Sequence, residues 1–441
     1  MATIPHYRPS VVPLKTPFTF AKDPLAFLQK GFTACGDTFQ LALFRKLVFT
    51  RDPAFFKHVL QANNKNYLKG GAVKELKQVL GEGLLTSEGD FWLRQRRLIQ
   101  PVFHRERLQT LFQTMREITT AFLHELEEER GREAVDIDEK MMALTADIAL
   151  KTLFSTISNE NKAEIYQQIN HTQQHIITQI RQPYLKPWLS INGANRRFRK
   201  DVAYFDQLVI DVITQRRDSG ETHDDMLQML LECIDEETGQ PMNDRQVRDE
   251  VITMFAAGHE TSANGLNWLL WELSQHPEIV AKIRAESHLF ADVPTLEQLM
   301  AMKYTRQVVE EGLRLFPPAW AVAREAIADD TIEGMTIPKG AIVFMPIFAL
   351  HRHPALWEHP MLFEPENFNP DAVKNRNKYA YLPFGAGPRI CIGQQFAILE
   401  MQLILASLLK KFTFEADKHH PPMMFPLITL KPLNGIKMFI R

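Results

Sequence analysis

Cys391 sits in the run Phe384-Gly385-Ala386-Gly387-Pro388-Arg389-Ile390-Cys391-Ile392-Gly393, which leads straight into a helical pattern from Gln394 to Lys411. A thiol just before a helix N-terminus meets unpaired N–H groups and the positive end of the helix dipole, which lowers its pKa and favours the thiolate. Gly387 and Gly393 let backbone approach the sulfur closely. The spacing Phe-x-x-Gly-x-Arg-x-Cys-x-Gly recurs by chance in about one in ten thousand chains of average composition; the plain alternative is a structural cysteine in a glycine-rich turn. A second segment, Ala256-Ala257-Gly258-His259-Glu260-Thr261-Ser262, puts a glycine, an acid and two hydroxyls where good helix formers belong. Glu260 and Thr261 have the chemistry to relay protons. Taken alone, a Thr261 hydroxyl bonded back to a carbonyl and a Gly258 that permits close packing also account for it. Two further pairs lie on single helix faces, Glu311 with Arg314 at i,i+3 and Trp92 with Arg96 at i,i+4.

The elements that must position these residues are mainly helical. Helical periodicity predicts helices over Gly89–Gln100, Arg105–Glu129, Asp136–Thr156, Glu160–Ile180, Arg196–Arg217, Asp224–Ile234, Asn243–His276 and Lys303–Leu315. The Asn243–His276 helix, capped by Asn243 or Asp244 and bounded by Pro277, is roughly 50 Å long at 1.5 Å per residue and carries Glu260 and Thr261 at its middle. Alternation predicts strands at Thr38–Phe44, Leu47–Thr50, Val322–Ile327, Thr331–Ile337, Ala341–Pro346 and Lys437–Ile440. The expectation is a mainly α fold with a small β-sheet region, and a single domain over 1–441, since no linker or repeat marks a cut.

The chain has 441 residues, 51 Lys plus Arg against 53 Asp plus Glu, 45% hydrophobic and 24% charged residues. That balance excludes a disordered or collagen-like chain and gives no basic excess for nucleic acid. Cys35, Cys233 and Cys391 are too few and too far apart for a disulfide framework or a thiolate zinc site. Without a signal-peptide pattern or a long apolar run, the expectation is a cytoplasmic protein with no membrane anchor.

The Cys391 loop resembles the haem-ligand loop of the cytochrome P-450 family. The other segments follow in that family's order: Trp92-x-x-x-Arg96, Ala257 to Ser262, Glu311-x-x-Arg314, Arg324, and Pro365-Glu366-Asn367-Phe368. The resemblance implies a triangular helical domain with haem b (iron protoporphyrin IX) between the long helix and the Cys loop. It implies Cys391 as the iron ligand, with Phe384, Gly393 and Ala257 beside the haem and Trp92, Arg96, Arg324 and Arg389 on the propionates. Thr261 and Glu260 are then the catalytic pair that delivers protons to dioxygen. Glu311, Arg314 and Asn367 are structural, and Asn367 stands where the family often has Arg or His, which leaves Arg314 with one acid and a neutral amide. His259 points about 100° away from Glu260 around the helix and is not read as a ligand.

Monooxygenation follows from the resemblance: a hydrophobic small molecule, O₂, two electrons and two protons give an alcohol and water. NAD(P)H serves indirectly, through a ferredoxin or flavodoxin and its reductase, and Arg94, Arg97, Lys410 and Lys411 offer a cationic surface for an acidic donor. By analogy the substrate pocket includes Met254, Phe255, Ala319, Val322 and Leu427, which are apolar and suit a long-chain lipid or a terpenoid-like molecule. The rival readings are a haem-thiolate peroxygenase or isomerase, against which the Glu260–Thr261 pair speaks, and a non-catalytic haem-binding sensor.

Overall fold

The computed structural model describes residues 3–7, 16–42, 46–155, 162–290 and 292–441. These form two compact units, one of residues 1–70, 116–145 and 260–441, the other of 71–115 and 146–259. Three of the boundaries fall inside continuous helices, Arg105–Glu128, Ile137–Leu153 and Asp244–Leu273, so the chain passes from unit to unit without a linker.

In the first unit the helix Gln394–Lys411 is buried on every side from Glu400 to Leu409, with Met401, Leu403, Ile404, Leu405 and Leu408 supplying most of its apolar surface. A helix of that kind must be enclosed. Helices Pro277–Ser287 and Lys303–Leu315 pack on it, and Gly265 of the long helix brings that backbone close to Met401, where a Cβ would press on the sulfur. Among the described residues the largest sheet has five strands, ordered Thr38–Ala42, Lys46–Thr50, Ile342–Met345, Val322–Ala326 and Tyr67–Lys69. Its Lys46–Thr50 and Ile342–Met345 pair is parallel and the other three are antiparallel, with Arg324 opposite Val343 and Lys69. Beneath the sheet Val48, Phe55, Phe56, Val343, Met345 and Ile347 form an apolar core.

The long helix Asp244–Leu273 starts where its cap demands: Asn243 Oδ1 accepts the Gln246 N–H, and Gln246 Oε1 accepts the Asn243 N–H. The helices expected over Gly89–Gln100, Arg105–Glu129, Arg196–Arg217 and Lys303–Leu315 appear at Gly89–Ile99, Arg105–Glu128, Ala194–Ser219 and Lys303–Leu315. The ends expected at Phe44, Thr156 and Glu160 lie outside the described residues. One expectation is corrected: Thr331–Ile337 is not one strand but a hairpin, Asp330–Ile332 with Met335–Ile337. Glu333 and Gly334 both take positive φ, 49° and 75°, which is the turn that joins antiparallel strands in two residues. Helices Pro24–Cys35, Ala72–Leu80, Pro277–Ser287 and Leu296–Ala301 were not expected.

Candidate active site

The Cys391 loop is shaped by two glycines with positive φ, Gly385 at 75° and Gly387 at 68°. A Cβ at Gly387 would overlap the Leu60 carbonyl, so this turn seats directly on backbone and admits no side chain. Gly387–Arg389 makes one short helical turn, the Cys391 N–H donates to the Phe384 carbonyl at 2.9 Å, and Gly393 caps the helix that begins at Gln394. The loop therefore holds Cys391 just ahead of a helix N-terminus with its side chain exposed. Cys233 differs: its thiol donates to the Leu98 carbonyl at 3.0 Å and burial pushes its pKa up to about 11, which keeps it protonated and inert.

A buried lock stands behind this loop. Arg314 uses all five of its N–H donors: two on the Glu311 carboxylate at 2.7 Å each, and three on the carbonyls of His351, Pro360 and Leu362 at 2.7 to 2.9 Å. Glu311 also accepts from the Glu364 N–H at 2.7 Å and from Asn367 Nδ2 at 3.2 Å. The neutral amide thus completes the carboxylate's partners, and carbonyls satisfy the guanidinium in place of a second acid. A further cation stands close by, since Arg376 donates to the Asn367 carbonyl at 2.6 Å and stacks on Trp357 and Phe368. The lock reaches the Cys loop through His351, a residue without a motif to mark it. Its Nδ1–H donates to the Arg314 carbonyl at 3.1 Å, and its Nε2 accepts the Leu382 N–H at 2.8 Å, two residues before Phe384. Burial holds the ring neutral, with its pKa lowered to about 3.

In the same unit the hairpin Met424–Pro426 and Leu430–Pro432 brings the acid and part of the expected pocket together. Thr429 Oγ1 donates to Glu260 Oε1 at 2.7 Å, and Lys431 Nζ lies 3.3 Å from the same oxygen. Trp268 Nε1 donates to the Leu430 carbonyl, Trp320 Nε1 to the Leu427 carbonyl and the Leu430 N–H to the Pro318 carbonyl. Ala319 is exposed, while Val322 and Leu427 are half-buried. Phe384, Arg389, Gly393 and the half-buried Arg324 belong to this unit as well.

Between Val247 and Leu270 the accessible positions of the long helix are Met254, Ala256, Ala257, Gly258 and Thr261, and Met254, Ala257, Gly258 and Thr261 among them share one face as a stripe at i, i+3, i+4 and i+7. Phe255 does not belong to that stripe, which corrects its reading as a pocket residue. It is 2% exposed, stacks on His259 and meets the Phe205 ring at a tilt. His259 donates Nδ1–H to the Phe255 carbonyl at 2.8 Å, a packing role consistent with not being a ligand.

Trp92 and Arg96 lie in the second unit, on the helix Gly89–Ile99, with Trp92 buried and Arg96 half-buried. That helix is tied to the long helix by Gln95, whose Nε2 donates to Glu250 Oε1 at 3.1 Å; the other carboxylate oxygen accepts the Leu84 N–H at 2.9 Å. Burial raises Glu250 to about 7. Sequence reasoning missed Glu250, because an acid beside Asp249 in the polar first third of a helix carries no spacing signal. The four residues expected to offer a cationic surface also have partners within the chain. Arg94 pairs with Asp235 at 3.0 Å and Arg97 with Glu237, while Lys410 donates to the Phe290 carbonyl and Lys411 sits 3.2 Å from Glu127. Each of these charges already has an anion or carbonyl of its own chain.

These residues fit a thiolate-ligated haem: the loop leaves its thiol exposed, Gly387 admits no side chain against Leu60, and half-buried arginines stand in the same unit. The family model for cytochrome P-450 matches residues 13–438. Cyclooctat-9-en-7-ol 5-monooxygenase of Streptomyces melanosporofaciens is 34% identical over 397 residues, covering 88% of this chain and 84% of that protein. Cyclooctatin synthase of the same organism is 34% identical over 428 residues, covering 91% and 89%. The crystal structure of the cytochrome P-450DA heme domain superposes with a TM-score of 0.92 at 29% identity, covering 100% of this chain and 97% of that one. A thiol held before a helix N-terminus, an acid–alcohol pair on the long helix and a match over almost the whole length agree, and the chain belongs to the cytochrome P-450 family of haem monooxygenases.

Proposed function

We propose that this enzyme hydroxylates a C–H bond of a hydrophobic, terpenoid-like substrate, with Cys391 as the iron ligand and electrons drawn from NAD(P)H through a separate ferredoxin or flavodoxin and its reductase. The observation that carries the substrate reading is the accessible stripe of the long helix, where apolar Met254 and Ala257 stand one to two turns before Thr261. The haem, when bound, supplies the activation of dioxygen and the insertion of one oxygen atom into the substrate. The chain's own residues do the rest. Cys391 would hold the iron through its thiolate, Arg96, Arg324 and Arg389 would neutralise the propionates with the Trp92 N–H as a further donor, and Phe384 would shield the sulfur from water. Glu260 carries protons toward the Thr261 hydroxyl, and Ala319, Val322 and Leu427 supply apolar walls that select by shape. The two Streptomyces relatives support a terpenoid-like substrate over a straight-chain one, since the first is named for oxygenating an unsaturated alcohol.

The test is a spin-state titration of the holoenzyme against polycyclic terpenoid alcohols and saturated fatty acids, followed by product analysis with a surrogate ferredoxin and reductase. A high-spin shift and a hydroxylated product from the terpenoid alcohols are expected. Shift and turnover with fatty acids alone would transfer the assignment to a long-chain hydroxylase, and product with peroxide but never with reductase would make it a peroxygenase.

A further inference from the structure

Buried helix faces are ordinarily apolar, and most of the long helix obeys: Ala263, Leu266, Leu269 and Leu270 are each 1% exposed or less. One face does not. Glu260, Asn264 and Asn267 follow at i, i+4 and i+7, with Asn264 and Asn267 fully buried. Thr429 Oγ1, which donates to Glu260, accepts from Asn264 Nδ2 at 3.1 Å. Asn267 Nδ2 donates to Asp138 Oδ1 at 2.6 Å. The amide oxygens of Asn264 and Asn267 have no protein partner and are fully enclosed. Two such acceptors about one turn apart, flanked by a hydroxyl and two carboxyls, are buried polar groups of the kind that ordered water satisfies.

Asp138 is the outer end of this row. It opens the helix Ile137–Leu153, where its N–H donates to Asp136 Oδ1, and Asp136 also pairs with the half-exposed Lys437 at 3.2 Å. Lys431, on Glu260 at 3.3 Å, faces the same space. Burial raises the Asp138 carboxyl to about 6; Lys431 and the Asn267 amide oppose that rise, and Asp136 and Glu260 add to it. A carboxyl poised there exchanges protons readily in both directions near neutral pH.

We propose that Asp138 is the proton-loading group for Glu260, passing protons inward along the Asn267–Asn264 face of the long helix. The proposal rests on the reading of Glu260 and Thr261 as the proton-handling pair. For each proton moved, the Asp138 acid gives one to the row, the Glu260 carboxylate receives one and hands it toward Thr261, and Asp138 takes a replacement from solvent beside Asp136 and Lys437. No net charge accumulates, and the Lys431 ammonium keeps the two carboxyls from repelling each other. Asp138 acts through Glu260 and is a positioning and supply residue.

The test uses the holoenzyme with a ferredoxin, its reductase and NADPH. In wild type an infrared carboxylic-acid band titrates near pH 6; it vanishes in Asp138→Asn and titrates higher in Lys431→Met, which removes a cation that favours the ionised form. In Asp138→Asn the share of oxygen released as peroxide rises about fivefold with a larger solvent isotope effect, and Asp138→Glu restores both. Asn267→Leu, which cuts the row without touching a carboxyl, raises peroxide in the same way. Unchanged peroxide and isotope effect in Asp138→Asn and Asn267→Leu, with Glu260→Gln uncoupled, would overturn the supply role alone. Unchanged coupling in Glu260→Gln would instead overturn the reading on which it rests.

Discussion

Arg314 shows how much depends on a single guanidinium when every donor is used. Replacing it with Met leaves Glu311 as a buried carboxylate without its cation and frees three carbonyls, and breaking a buried pair from one side costs about 3–5 kcal/mol. Asn367→Ala removes one neutral donor from a carboxylate that keeps its others, and costs about 1 kcal/mol. Urea unfolding of the holoenzyme checks the pair, and equal losses in the two variants would show that Asn367 matters as much as the charge. The Glu311–Arg314 spacing was legible because i,i+3 pairs meet on any helix. The role of His351 was not, since its two bonds go to backbone groups of Arg314 and Leu382, 37 and 31 residues away.

At the scale of elements, the long helix and the Cys-loop helix are joined by a buried acid that the motifs do not mark. Glu400 is 2% exposed and hydrogen-bonds Ser262, one residue from Thr261, and burial raises its pKa to about 8. The folded protein therefore binds a proton that the unfolded chain releases above about 4.5. This contribution is fully present below pH 4.5 and is lost as pH rises through 8, so stability falls across that window by about 1.4 kcal/mol per pH unit at most. Glu400→Gln keeps a hydrogen-bonding side chain and removes the slope; denaturant midpoints at pH 5 to 8 that fall equally in both proteins would assign the slope elsewhere. Helices announced themselves where periodicity and caps agreed, as at Asn243 and Gln246. The Leu296–Ala301 helix does carry a signal in its sequence, the reciprocal capping of Thr295 and Gln298, as does Pro24–Cys35 in Asp23-Pro24. The Thr331–Ile337 hairpin was hidden because Glu333 is an unusual residue for positive φ, so only Gly334 hinted at a turn.

For the molecule as a whole, the chemistry-bearing loop was legible and its surroundings were not. Five fixed positions around Cys391 lie within ten residues, and short-range spacing survives any fold. The contacts that surround Glu260 come from Thr429, 169 residues away, and no local pattern encodes a pairing at that distance. The ion pairs of the surface arginines were hidden for the same reason, since Arg94 and Arg97 meet Asp235 and Glu237 only in the fold. Among the described residues no helix is long and apolar enough to cross a membrane. The central claim, that Cys391 is the thiolate ligand of a haem monooxygenase, is tested most directly by the carbon monoxide difference spectrum of the dithionite-reduced holoenzyme, wild type against Cys391→Ala. A red-shifted thiolate-type Soret band present in wild type and lost in the variant is the predicted result; a histidine-type band, or none, in a well-folded wild type would contradict it.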